Sequence, residues 1–315
     1  MTIRAAVVGV GYLGCFHAEK YAAAPDVDLA GVVDSDPARA AEAGARFGCR
    51  VYRDVSELRG AVDCASVAVP TPFHRDVGAR LLEAGIDVLV EKPIAATLDE
   101  ARELVRIAEE RGRILQVGHL ERFNPAIRAL ADLLTRPRFV ECHRLAPFVE
   151  RGTDVDVVLD LMIHDLDVIL SMMTSPVAAV EAVGVPVITG SPDIANARIR
   201  FADGAIANVT ASRVSLKRER KLRIFQPDTY ISLDYGEKRV RICRRGEAPP
   251  SGLPPIEVEE RVVEGDDALA EEIRAFVEAV RTRQAPLVSG REGLRAVELA
   301  YQILACVEEE LRRSG

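Results

Sequence analysis

The chain has 315 residues, 48% of them hydrophobic and 29% charged, with a formal net charge of −8. That length suits two domains, and the apolar content is enough for packed cores. The acidic balance counts against a general binder of nucleic acid or of anionic membrane, which needs positive surface, but leaves room for a small anionic substrate.

No run of about 18 apolar residues suggests a membrane span. The opening MTIRAAVVGVGYLG passes from an apolar run straight into a glycine turn, with no small-residue cleavage site. It is expected to be a buried strand and not a signal peptide. Cysteines stand at 15, 49, 64, 142, 243 and 306, none in a C-x-x-C pair. This pattern predicts a reduced, cytoplasmic protein without a disulfide framework or zinc site.

Over residues 1–118 short apolar runs alternate with helical patterns. Strands are predicted at 4–8, 29–33, 50–52, 64–69, 88–90 and 114–117, and helices at 14–24, 37–47, 73–84 and 98–111. Fully apolar strands between helices indicate a parallel sheet covered on both faces, a doubly wound α/β Rossmann domain. Beyond residue 120 the pattern changes. A strand is expected at 137–147 and a helix at 156–173. Runs rich in β-branched residues follow at 177–188, 195–201, 205–214, 221–225, 230–234 and 239–243. Turn signals such as Ala202-Asp203-Gly204 separate some of these runs and point to antiparallel hairpins. A Pro-rich loop is expected at 246–255, and helices at 268–283 and 291–312 close the chain. The second half reads as an α+β domain with a mostly antiparallel, open-faced sheet. The boundaries expected are 1–120 and 121–315, with the C-terminal helix packing back on the first domain.

Gly9-x-Gly11-x-x-Gly14 directly follows the first strand and opens a helix. The first glycine permits the tight turn, the second lets backbone approach a pyrophosphate, and the third lets helix and strand pack closely. The helix N-terminus offers N–H groups and partial positive charge to phosphates. Tyr12 and Leu13 lie within the loop. Asp34 ends the second strand, 20 residues past Gly14, where a carboxylate accepts from adenosine ribose hydroxyls and repels a 2′-phosphate, with Ser35 beside it. NAD is therefore expected over NADP. The alternative is a strand–helix turn that binds nothing, with Asp34 as a helix cap. At the end of the fourth strand, Pro70-Thr71-Pro72-Phe73-His74 stands where such sheets bind ligands, placing Pro70, Thr71 and His74 among the cofactor residues; Thr71 also suits a helix cap.

Glu91-Lys92-Pro93 follows the fifth strand at the same rim. Together, GVGYLG, VAVPTPFH, EKP, GHLERFNPA and DLMIHDLD resemble the Gfo/Idh/MocA family of sugar and cyclitol oxidoreductases over essentially the whole chain. The resemblance implies three catalytic positions, Lys92, Asp160 and His164. The residues support this separately. Asp156, Asp160, His164 and Asp167 fall in one stripe of an otherwise apolar helix, where carboxylates are costly unless solvated, paired or facing a site. A histidine beside a carboxylate can be tuned as a general base, and a lysine near a positive nicotinamide can hydrogen-bond the reacting hydroxyl. On this reading His164, oriented by Asp160, removes a hydroxyl proton while Lys92 holds the developing alkoxide, although His164 and Lys92 could exchange roles. The rival for the stripe is a solvated helix face. Asp160 and His164 could offer two metal ligands, but no further His/Glu pair has ligand spacing, and no metal is expected.

The segment His119-Leu120-Glu121-Arg122-Phe123-Asn124-Pro125 lies at the predicted domain junction. Arg122 is assigned to nicotinamide and Asn124 to substrate, against the alternative of a hinge held by Arg122 and a carboxylate. Arg213, Lys217, Arg218, Arg220, Lys221 and Arg223 concentrate positive charge in the second half, with Arg144 and Arg151 ahead of the catalytic helix. Arg151 and Arg213 are the arginines assigned to substrate, because a nucleotide-sugar diphosphate needs neutralising. A solvated strand edge or a subunit interface would use the same residues. Within the family, VGHLERFNPA and IHDLD look most like the branch that oxidises C3 of UDP-N-acetylglucosamine for lipid A biosynthesis. Rival readings are a cyclitol or free-sugar dehydrogenase, an NAD-dependent glycosidase and a non-catalytic NAD-binding regulator. The family pairs subunits over the open sheet face, so a homodimer or homotetramer is expected.

Overall fold

The computed structural model describes residues 2–149, 155–247, 251–263, 265 and 267–314. Arg151 lies outside the described residues. The chain divides into two compact units, residues 1–123 with 266–297 and residues 124–265 with 298–315.

The first unit begins β1 (Ile3–Val8), α1 (Tyr12–Ala23), β2 (Val27–Val33), α2 (Pro37–Phe47), β3 (Arg50–Tyr52), β4 (Cys64–Val67), α3 (His74–Glu83), β5 (Asp87–Glu91), α4 (Leu98–Glu110) and β6 (Leu115–Gly118). Among the described residues its six strands run in the order β3-β2-β1-β4-β5-β6, every pair parallel. The order reverses between β1 and β4, which sets the loops after those strands at the switch point where such sheets bind ligands. Local chemistry fixes the helix ends. Asp36 caps α2 through the amides of Ala38 and Arg39, and Gly48 closes it in a left-handed conformation. Thr97 and Glu100 form a capping box on α4.

The second unit contains α5 (Pro125–Arg128), β7 (Phe139–Leu145), α6 (Ile163–Met172), β8 (Val177–Val185), β9 (Ile194–Phe201), β10 (Ile206–Ser212), β11 (Glu219–Gln226), β12 (Thr229–Asp234), β13 (Arg239–Arg245) and β14 (Ile256–Val262). Eight described strands form one sheet, ordered β14-β13-β12-β11-β7-β10-β9-β8. Only β7 and β10 pair in parallel. Burial alternates strictly along β7 and β9, as a sheet with one covered face requires.

Last come α7 (Ala268–Thr282) and α8 (Gly290–Ser314). The second domain is not the single stretch 121–315 expected above. Leu269, Ile273, Phe276, Val277 and Val280 of α7 join Ile3, Ala5, Val7, Ala18, Tyr21, Leu29 and Val32 in one buried cluster. The apolar stripe of α7 is plain in the sequence, but a stripe does not say which sheet it will cover.

Two further differences have physical reasons. Strand β14 was not predicted, because its burial shows no alternation and it is almost wholly exposed. It is held to β13 by main-chain pairing and by charge: Glu260 meets Arg239 and Arg241 at 3.1 and 3.0 Å, and Glu259 meets Arg244 at 2.9 Å. Charges of this kind also blunt a sheet edge against further pairing. The helix expected over 156–173 opens with a π-helical turn at Val158–Met162 before α6 begins. Turns of that kind concentrate at functional positions. Among the described residues no helix is long and apolar enough to cross a membrane.

Candidate dinucleotide and catalytic residues

The loop after β1 is built for close backbone approach. Gly9 has a φ of +87°, and a Cβ there would lie 2.8 Å from backbone atoms of Ala68. At Gly14 a Cβ would fall 1.7 Å from the Gly9 carbonyl oxygen. At Gly11 the space is open, the nearest atom being Arg39 Nη1 at 3.6 Å. Gly11 is also the N-cap of α1 and supplies no side-chain acceptor, so the first-turn amides have no internal cap. Tyr12 and Leu13 are exposed over this loop. Val10, Gly11, Tyr12, Cys15, Phe16, Glu19, Arg39 and Arg46 line a cavity here. The residues therefore fit a dinucleotide: positions 9 and 14 admit only glycine, and the middle one opens to a ligand.

Asp34 is almost buried and already bound to the loop. Its Oδ2 accepts from Val10 N at 2.8 Å and its Oδ1 from Asp36 N at 2.9 Å. The carboxylate thus shapes the glycine turn, and two oxygens with about four acceptor sites still leave capacity for ribose hydroxyls. Arg39 Nε lies 3.8 Å from Asp34. That cation, missed in the sequence reading, stands five residues past Asp34 on α2. Ser35 is exposed beside it, and Pro70 and Thr71 lie at the rim after β4.

Lys92 follows β5 in a turn gripped from both sides. The residue before it, Glu91, accepts from or shares a proton with His17 Nε2 at 2.8 Å through Oε1, and Oε2 accepts from Lys92 N at 3.3 Å. The residue after it, Pro93, offers its carbonyl to His74 Nδ1 at 2.8 Å, while His74 Nε2 reaches the Val69 carbonyl at 2.9 Å. A neutral imidazole has one N–H, so only one of these contacts is a hydrogen bond at a time. Burial pushes the His74 imidazole below its ordinary range. His74 is thus a buried brace joining the PTPFH and EKP loops, not an exposed ligand contact.

His119 follows β6, and both its ring nitrogens are buried without a hydrogen-bond partner among the described residues. Burial first, then the charges of Lys92 and Arg122, push it down to about 3, so it is neutral in ordinary buffers. Arg122 reaches the Leu287 carbonyl at 3.4 Å and Glu292 at 3.5 Å. Its carboxylate contact is with a residue of the same unit. His17, Glu91 and Glu272 bring one ligand atom each to within 4.8 Å of one another, a spacing a metal could use. Both nitrogens of His17 are already engaged, Nδ1 by Ser66 Oγ at 3.0 Å and Nε2 by Glu91, which favours a hydrogen-bond relay.

In the second unit, Asp160 lies in the π-helical turn and His164 in the first turn of α6, both half-buried. The stripe read from sequence does not share one role. Asp156 caps the helix by accepting from Val158 N at 2.8 Å and Leu159 N at 3.0 Å, while Asp167 is buried. Asp165, next to His164, takes a bidentate pair from Arg144. Asn124, expected at substrate, caps α5 through Ala126 N at 3.0 Å.

Two arginines of the basic group read from sequence are spent internally. Besides Arg144, Arg213 is buried and donates from Nε to Asp193 Oδ1 at 2.9 Å, from Nη1 to the Val155 carbonyl at 2.7 Å and from Nη2 to Ser191 Oγ at 3.1 Å. Asp193 in turn accepts from the amides of Val187, Ile188 and Thr189. Its carboxyl is held far below the usual range: burial opposes ionisation, but the amides of Ile188 and Thr189 and their neighbours outweigh it. Arg213 is therefore a structural residue, and its assignment to substrate is corrected. Much of the remaining basic run is paired as well: Arg223 with Glu141 at 2.6 Å, Lys217 with Glu219 at 3.1 Å and Lys221 with Asp234 at 3.6 Å. Cross-strand pairing of Arg223 and Lys221, and pairing of Lys217 with the first residue of β11, account for these charges without a diphosphate.

Comparison with known proteins agrees with this geometry. Residues 3–119 match the model of the GFO/IDH/MocA oxidoreductase family, NAD-binding Rossmann fold, and residues 133–231 match the GFO/IDH/MocA C-terminal domain. The UDP-N-acetylglucosamine 3-dehydrogenase of Acidithiobacillus ferrooxidans is 39% identical over 312 residues, 99% of each chain. Its solved structure superposes with a TM-score of 0.92, covering 98% of this chain and 99% of that one. An inositol 2-dehydrogenase of Rhizobium meliloti is 24% identical over 98% of each chain. Scyllo-inositol dehydrogenase from Lactobacillus casei, solved with NAD(H) and scyllo-inositol, shares the fold at a TM-score of 0.80 and 20% identity, with 98% of each chain covered.

Proposed function

The chain belongs to the GFO/IDH/MocA oxidoreductase family, and we propose that within it this protein is an NAD-dependent dehydrogenase acting on the C3 hydroxyl of UDP-N-acetylglucosamine. The observation that carries the substrate is the 39% identity to a UDP-N-acetylglucosamine 3-dehydrogenase across 99% of both chains. The inositol 2-dehydrogenase of Rhizobium meliloti, matching over the full length, does so at 24%. The product is a 3-keto nucleotide sugar, which suits amination on the way to lipid A.

The proposed roles are these. His164, oriented by Asp160, takes the hydroxyl proton, and the Lys92 ammonium hydrogen-bonds the alkoxide as it forms. A bound NAD would supply the hydride acceptor for C3. The glycine loop binds the pyrophosphate at the N-terminus of α1, with Thr71 at the rim. Asp34 supports NAD over NADP, because a buried carboxylate bound to the loop backbone repels a 2′-phosphate. Arg39 offsets part of that repulsion, so measured affinities for both dinucleotides test the preference directly; equal affinity rejects it. Six free cysteines support a cytoplasmic setting. The outer face of the second sheet supports self-association, with Phe139, Phe225 and Tyr230 in a row at centroid spacings of 5.6 and 4.8 Å. A monomer by light scattering at micromolar concentration rejects that assembly.

The substrate test is NADH formation with UDP-N-acetylglucosamine, UDP-N-acetylglucosaminuronic acid, UDP-glucose, myo-inositol and glucose, with an amine acceptor or aminotransferase present to draw off the ketone. Signal with the first compound alone is expected. A preference for myo-inositol rejects the substrate. Hydrolysis of a glycoside without NADH accumulation rejects net dehydrogenation.

A further inference from the structure

We propose that His17 is a positioning residue for Lys92, acting through the Glu91 carboxylate to which it is hydrogen-bonded. The importance of Lys92 rests on the functional reading above; the linkage itself is geometric.

Four buried or nearly buried side chains form a line that ends at the lysine turn. Tyr21 Oη lies 2.8 Å from Ser66 Oγ, Ser66 Oγ 3.0 Å from His17 Nδ1, and His17 Nε2 2.8 Å from Glu91 Oε1. His17 and Tyr21 are one turn apart on α1 and share Ser66 of β4. Ionised Glu91 only accepts, so Nε2 donates to it. Nδ1 meets the Ser66 hydroxyl, which in turn meets the Tyr21 hydroxyl.

The carboxylate is also seated by shape. It packs on Gly118 of β6, where a Cβ would stand 2.9–3.1 Å from its atoms. The titratable groups around it are His17 from α1, Glu272 from α7, His74 from α3, Lys92 itself, and His119 after β6, behind which lie Arg122 and Glu292. Burial opposes ionisation of Glu91, but the His17 hydrogen bond, the nearby imidazoles and the Lys92 amide hold it below its usual range. The same carboxylate accepts from Lys92 N at 3.3 Å, so its seating fixes the backbone from which the lysine side chain departs. Without the His17 N–H the carboxylate loses its donor from α1 and the Lys92 turn loses that hold.

The chain has only five lysines, at 20, 92, 217, 221 and 238. Reductive ¹³C-methylation therefore allows Lys92 to be followed by NMR, assigned by its absence in Lys92→Arg. His17→Gln keeps a donor near the Nε2 position, whereas His17→Asn keeps only the Nδ1 side. The Lys92 methyl resonance is expected to shift or broaden in His17→Asn and in Glu91→Gln, as the turn loses its hold, and to return toward wild type in His17→Gln. Circular dichroism, measured alongside, checks that each variant is folded. A Lys92 resonance identical to wild type in folded His17→Asn overturns the proposal. If that variant does not fold, an unchanged resonance in Glu91→Gln overturns it. Failure of the sugar panel leaves this spectrum untouched, so the two readings fail separately.

Discussion

Arg144 and Asp165 form a closed fork, Nε to Oδ2 at 2.7 Å and Nη2 to Oδ1 at 2.8 Å, with both side chains out of solvent. The pair ties β7 to the first turn of α6, one residue from His164. Removing one member strands the other charge in the interior. Asp165→Ala is expected to lose about 3–5 kcal/mol of stability in chemical denaturation. A loss under about 1 kcal/mol would mean that water reaches Arg144 and that the fork does not hold the helix.

His164→Ala is expected to leave NAD affinity unchanged and to lower turnover by roughly a hundredfold or more, the range for removal of a general base. Calorimetric titration with NAD and steady-state NADH formation separate the two effects. Near-normal turnover would remove His164 from the chemistry and shift the base role to Lys92.

The glycine loop separates folding from binding. Gly14→Ala puts a Cβ onto the Gly9 carbonyl oxygen, so it should lower the melting temperature even without NAD. Gly11→Ala meets nothing nearer than 3.6 Å, so it should melt like wild type while binding NAD more weakly. Equal NAD affinity in Gly11→Ala and wild type would show that the pyrophosphate does not approach position 11.

Acid should destabilise the fold well above the carboxylate range. His119 is lowered to about 3 in the folded state, against roughly 6.5 in an unfolded chain. Between those values the unfolded chain binds the extra proton, so stability falls as pH falls. One such group contributes a slope of up to about 1.4 kcal/mol per pH unit. His119→Phe should flatten the dependence of stability between pH 7 and 4.5. An unaltered slope would place the proton uptake elsewhere, with His74 the next candidate.

Much of this could be read before any coordinates. The parallel sheet was legible because apolar runs alternated with helices, and the dinucleotide loop because glycines are demanded by turn geometry. The sequence was weakest where partners are distant along the chain. Arg213 looked like a phosphate ligand until Asp193, 20 residues earlier, was seen to hold it. His17 drew no notice, since its place on α1 matters only through Ser66 and Glu91 on two separate strands. Strand β14 escaped because main-chain and charge pairing, not burial, keep it in place.

The return of α7 to the first unit bears on how the chain is made. As synthesis proceeds from the N-terminus, all six strands of the parallel sheet leave the ribosome long before Leu269, Ile273 and Phe276 exist. Until then Ala5, Val7, Tyr21 and Val32 lack neighbours on one side, and the nascent sheet shows apolar surface for the time it takes to add some 150 further residues, roughly 10–30 s at ordinary elongation rates. A chaperone that shields nascent apolar surface would find its longest opportunity in that interval, and a fragment ending near residue 120 would keep the same surface permanently bare.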